Sequence, residues 1–177
     1  MARAGETIEN PATGEKTTFV VTAADSDGAL LQLDVVMAPG RPGPPVHVHR
    51  AFSERHDVRE GRLGITMEGL VRVVDAPGSI EIPRGTPHTF RVVGERPVRT
   101  VVDYRPPGRY EDFIERLYAL AREGKTDETG APRNILQTAV IARPHLEEFA
   151  LERPPFAVQK ALFAVLAPVG RLFGFRA

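Results

Sequence analysis

Over the first hundred or so residues, apolar positions fall in short runs cut by Gly, Pro and Asp, which is the pattern of strands and turns rather than helices. Residues 17–23 and 30–37 are two such runs, and Asp25-Ser26-Asp27-Gly28 between them can form the reverse turn of a hairpin. Further runs follow at 63–67, 71–74, 79–82, 88–93 and 98–104. So many short strands at close spacing predict a sandwich or barrel. The period changes after Pro106-Pro107-Gly108. From 109 to 123, Tyr110, Phe113, Ile114, Leu117, Leu120 and Ala121 recur at helical spacing, with Glu111 and Asp112 in the first turn and Gly124 past the end. A second helix is predicted from an Asn134 cap to about residue 143, where Pro144 ends or kinks it. A third helical stretch opens at Pro154-Pro155 and runs to Phe175, interrupted at Pro168 and Gly170. His145, beside Pro144, reads as a surface or helix-start residue. The expectation is an all-β barrel domain over residues 1–107 and a helical extension over 108–177, packed on the barrel or at a dimer interface.

Composition narrows the chemistry. At 177 residues the chain fits one domain with an appendage. Lys+Arg 23 against Asp+Glu 23 leaves no broad basic surface, so nucleic acid is not an expected partner. Cysteine is absent, which removes disulfides, thiolate metal sites and cysteine nucleophiles and leaves any metal to His and carboxylate. The opening residues carry no apolar stretch of signal-peptide length, so a cytoplasmic protein is expected.

Of five histidines, His47, His49, His56 and His88 lie in one β-rich stretch. In an extended segment His47 and His49 face the same way, because side chains alternate along a strand, and Val48 faces the other. Glu54 supplies a hard oxygen donor nearby, and His88 follows a turn-forming Pro83-Arg84-Gly85-Thr86-Pro87 segment. Imidazoles with one carboxylate suit iron, manganese, nickel, copper or zinc.

The spacing His47-x-His49, four residues, Glu54, six residues, Gly61 resembles the first motif of the cupin superfamily, and Pro83-x-Gly85-x-x-His88 resembles the second. The match covers roughly residues 30–105 and is closest to single-domain, quercetin-dioxygenase-like members. The family's glycine ahead of the first His has no exact counterpart, since Gly40 stands one residue too far and Gly43 too near, and Val92 replaces an expected Asn. The resemblance implies a jelly-roll barrel holding one divalent transition metal through His47, His49, Glu54 and His88, and commonly a homodimer. It implies an enzyme acting on a small organic substrate, aromatic ones included, in a dioxygenase-like reaction. The alternatives are a cupin isomerase or polyketide cyclase, and a non-catalytic binding or sensor module.

His56, two residues after Glu54, faces inward with it and is either a proton acceptor beside Glu54 or a buried histidine bonded to a neighbouring strand. Ile65, Met67 and Phe90 are the expected apolar walls around a substrate. From Pro154 onward the chain has Lys160, Arg171 and Arg176 and no acidic residue. Packing within the protein or a dimer is favoured for this oily segment over a place on a membrane surface.

Overall fold

The computed structural model describes residues 2–176. In chain order the first strands are β1 (Thr7–Asn10), β2 (Glu15–Val21), β3 (Leu31–Met37), β4 (His47–Val48) and β5 (Ser53–Glu60). There follow β6 (Arg62–Met67), β7 (Leu70–Asp75), β8 (Gly78–Ile82), β9 (His88–Val92) and β10 (Val98–Arg105). The extension comprises α1 (Tyr110–Arg122), α2 (Ile135–Ala142), a 3₁₀ turn at Arg143–His145, β11 (Ala150–Leu151) and α3 (Phe156–Leu172). The strands form two antiparallel sheets, ordered β1-β2-β3-β10-β5-β8 and β11-β4-β9-β6-β7, in a jelly roll.

Alternation places the core. On β3, Leu31, Leu33, Val35 and Met37 are buried, and they share the interior with Phe19 of β2, Leu63 and Ile65 of β6 and Val98 and Val102 of β10. Each such side chain contributes about 1.5–3 kcal/mol on burial. The β2–β3 hairpin turns as its sequence predicts. Asp25 Oδ2 accepts hydrogen bonds from both Thr22 N and Thr22 Oγ1, and the left-handed backbone at Asp27 and Gly28 (φ 51° and 79°) completes the reversal. β5 breaks the apolar pattern, because two of its three buried residues are Glu54 and His56.

The helical extension is not a separate appendage. α1 sets Ile114 and Tyr118 on the barrel core and turns Phe113 and Leu120 toward Ile141 of α2. Asn134 caps α2 as expected, its Oδ1 accepting from Leu136 N at 2.9 Å. Beyond α2 the chain returns to the barrel, where β11 pairs with β4 at Ala150↔Val48 and Leu151↔His47.

Two expectations need correction. His145 is neither on the surface nor a helix start: it is fully buried in the 3₁₀ turn, with Nδ1 donating to Ile141 O at 2.7 Å and Nε2 2.9 Å from Asp112 Oδ2 on α1. α3 is also uninterrupted through Pro168 and Gly170. It packs on α2 so closely that a Cβ at Gly170 would lie 2.7 Å from Val140 Cγ2 and 2.9 Å from Leu136 O, so glycine there permits the contact rather than ending the helix. The opposite face of α3 shows Val158, Leu162, Val165, Val169 and Leu172 to solvent. Among the described residues, no helix is long and apolar enough to cross a membrane.

Candidate metal centre

Strand register builds the centre. His47 on β4 stands opposite His88 on β9, and Glu54 on β5 stands opposite Tyr104 on β10. His49 follows β4 in a loop, its carbonyl accepting from Gly85 N at 2.8 Å, which ties the first histidine segment to the turn before His88. All four side chains are buried, and one ligand atom from each lies within 4.8 Å of every other. That spacing suits donors sharing one cation at about 2.0–2.2 Å.

The hydrogen bonds behind the rings set which nitrogen faces the centre. His47 Nδ1 lies 2.9 Å from Pro45 O, His88 Nδ1 lies 2.9 Å from Thr86 O, and His49 Nδ1 contacts Glu148 O. A carbonyl only accepts, so each Nδ1 carries a proton and each ring turns its Nε2 inward. There the Nε2 atoms of His49 and His88 both lie 3.1 Å from Glu54 Oε2, the His88 contact being a hydrogen bond to the carboxylate. Among the described residues, the buried Nε2 of His49 has no hydrogen-bond partner. One cation placed among these nitrogens and the carboxylate would satisfy them all at once, the otherwise partnerless Nε2 of His49 included, so the residues fit a metal and could bind one.

The electrostatics differ between the rings. Burial, with His49 and His88 nearby, holds His47 well below the ordinary imidazole range and keeps it a neutral donor. Burial alone would raise the Glu54 carboxyl, but His56 and the hydrogen bonds from the surrounding rings hold it well below the ordinary range and ionised. For His88 burial works against charge, and the hydrogen bond and charge of Glu54 outweigh it and raise the ring.

His56 sits beside the four candidate ligands. Its Nε2 is 2.8 Å from Glu54 Oε1, and its buried Nδ1 has no hydrogen-bond partner among the described residues. Phe149 stacks on His47 at 4.5 Å and 19°, and Phe52 stacks on His49 at 4.4 Å and 29°. A cavity of about 230 Å³ reaches His47 and His56 and continues under the helical extension. Phe90, 5.7 Å from the His56 ring, lines it. Ile65, opposite Phe90, and Met67, opposite His88, lie in the barrel core and are not part of that lining.

Several contributors escape a reading of the sequence. Tyr104 and Tyr110 line the cavity and are raised above the ordinary phenol range chiefly by burial. The carbonyl of Glu148 orients His49, and Glu147 O accepts from Arg50 N and Ala51 N at 2.7 and 2.8 Å. Backbone acceptors leave no side-chain signature.

Residues 33–103 match the family model described as the cupin domain. A probable oxidoreductase of Hypocrea virens is 32% identical over 81 residues, covering 45% of this chain and 31% of that protein. Quercetin 2,3-dioxygenase of Bacillus subtilis is 31% identical over 109 residues, covering 60% of this chain and 30% of that enzyme. The chain thus spans less than a third of the length of the curated relatives it matches. Among solved structures, the polyketide cyclase RemF from Streptomyces resistomycificus superposes with a TM-score of 0.49 at 20% identity, over 60% of this chain and 78% of that one.

Proposed function

We propose that residues 33–103, which match the cupin domain model, hold one divalent transition metal through His47, His49, Glu54 and His88 and act as a dioxygenase-like oxidoreductase on a small aromatic substrate. The observation that carries the metal is the arrangement of the three rings, whose Nδ1 atoms are occupied by carbonyls while their Nε2 atoms converge with the Glu54 carboxylate. Iron, manganese, nickel, copper and zinc all match this donor set. The chemistry such an ion supplies when bound is Lewis-acid polarisation of a ligand oxygen and, for the redox-active members, activation of dioxygen.

The chain's own side chains perform the rest. Phe90, Tyr104, Tyr110 and Phe149 give the cavity the aromatic walls that hold a flat ring and exclude water. Glu54 Oε1 and His56 Nε2 already share a hydrogen bond, so a proton taken from substrate at the carboxylate can be held by this pair. The oxidoreductase class is supported by the names of the relatives and an aromatic substrate by the cavity lining, which neither Ile65 nor Met67 joins.

The reading includes a cytoplasmic homodimer. The outward residues of α3 at 158, 162, 165, 169 and 172 alternate spacings of four and three, the period of a helix–helix seam. In this reading a second copy of the chain covers that row.

The test is dioxygen uptake by the iron-, manganese-, nickel- or copper-loaded protein against a panel of flavonols, catechols and naphthols. Substrate-dependent uptake that Glu54→Gln removes supports the reading. No uptake with any metal across the panel refutes the oxygenase assignment.

A further inference from the structure

The strap of residues 38–46 joins β3 to β4, and its Pro42, Pro44 and Pro45 line the cavity beside Phe90 of β9. A strand in that place would pair with β9 through backbone hydrogen bonds, as β4 does where His47 stands opposite His88. Proline has no N–H to give, so three of the four residues from 42 to 45 cannot donate to β9. Two other contacts hold the strap there. Thr89 Oγ1 of β9 donates to Pro44 O at 2.6 Å. Gly43 lies so close to the β9 backbone that a Cβ on it would stand 1.8 Å from Phe90 O and 3.0 Å from Phe90 C. Its backbone is not left-handed, so the close approach, and not the conformation, demands glycine.

The consequence falls on His47. Pro45, two residues on from Gly43, offers the carbonyl that receives His47 Nδ1 at 2.9 Å. A Cβ at position 43 has to retreat by more than about 1 Å from Phe90 O to reach an ordinary contact, whereas a hydrogen bond of this kind is lost by about 3.5 Å. Of the two glycines that flank the position expected ahead of the first histidine, Gly40 would meet nothing within 4 Å, and only Gly43 is packed on β9.

We propose that Gly43 and Thr89 are positioning residues, clamping the strap on β9 so that the Pro45 carbonyl keeps the His47 proton on Nδ1 and turns Nε2 toward the metal centre. The effect on metal affinity rests on the metal-centre reading, whereas the tautomer of the ring is a property of the chain alone.

The test is long-range proton–nitrogen NMR of the histidine rings in the full-length, chelator-treated protein at about pH 8, where an ordinary imidazole is neutral. His47→Gln identifies the His47 signals. The unaltered protein shows His47 as the Nδ1–H form. Gly43→Ala and Thr89→Val shift it to a mixture with the Nε2–H form, Thr89→Ser restores it, and Gly40→Ala leaves it as it was. Zinc affinity from chelator competition falls about 10–100-fold in Gly43→Ala and Thr89→Val and returns in Thr89→Ser. Thr89→Val adds no atom, so it decides the matter should Gly43→Ala fail to fold. An unchanged tautomer in Thr89→Val, a change that Thr89→Ser does not reverse, or an equal change in Gly40→Ala overturns the proposal. Tautomers that respond as expected in a protein that takes up no zinc uphold the clamp and contradict the metal-centre reading.

Discussion

Replacing Phe149 with Ala probes whether the extension shapes the metal centre or merely leans on it. The ring stacks on His47 at 4.5 Å and on Phe113 at 5.1 Å, and its residue follows the carbonyl that receives His49 Nδ1. A fully buried Phe→Ala change costs about 3–5 kcal/mol, and partly buried Phe149 falls at or just below the low end, about 2–3 kcal/mol. In a protein of this size that lowers Tm by about 5–10 °C. A separate effect falls on the metal, because loosening residues 148–149 frees His49 from its Glu148 acceptor, and the loss of such an orienting bond weakens binding about 10–100-fold. The assay pairs thermal melts with zinc affinity from chelator competition, and Leu70→Ala, at a residue 66% exposed, is the control. A lower Tm with unchanged zinc affinity would refute the claim that the extension orients His49.

Other outcomes follow from particular contacts. Gly170→Val drives a side chain into Val140 and the Leu136 carbonyl, and thermal melts should register a loss of about 1–3 kcal/mol or more, with zinc affinity at the distant barrel unchanged. Burial opposes ionisation of Asp112, but hydrogen bonds from Arg116 and His145 outweigh it and hold the carboxyl below its usual range. Its contribution to stability is therefore complete above the unfolded value of about 3.9 and is lost as pH falls through the lower folded value, so the Tm deficit of Asp112→Asn at neutral pH should shrink below about pH 4. Val165→Glu, on the exposed row of α3, should convert a dimer to monomer in light scattering without changing Tm of the monomer; an unaltered mass would exclude this row as the seam.

Periodicity made α1 legible, because its buried residues recur every three or four positions and acidic residues open its first turn. The hairpin of β2 and β3 was legible from turn chemistry at Asp25 to Gly28. β5 was not legible as an apolar strand, since it spends inward positions on Glu54 and His56; only the metal-ligand spacing marked it. The same spacing brought His47, His49, Glu54 and His88 together from residues up to 41 positions apart. What stayed hidden depends on pairings between remote side chains or on backbone. His145 finds Asp112 33 residues earlier, Tyr118 finds Glu15 103 residues earlier, and Glu148 acts on His49 through a carbonyl that any residue would supply. Gly170 looked like a stop because glycine disfavours helix, and the tertiary contact with α2 overrode that preference.

The most direct measurement is elemental mass spectrometry on protein purified without added metal, set beside the His47→Ala/His49→Ala variant. The four-ligand centre predicts near-stoichiometric iron, manganese, nickel, copper or zinc in the unaltered protein and its loss in a variant that still folds. A metal-free protein that cannot be loaded with any of these ions would contradict it.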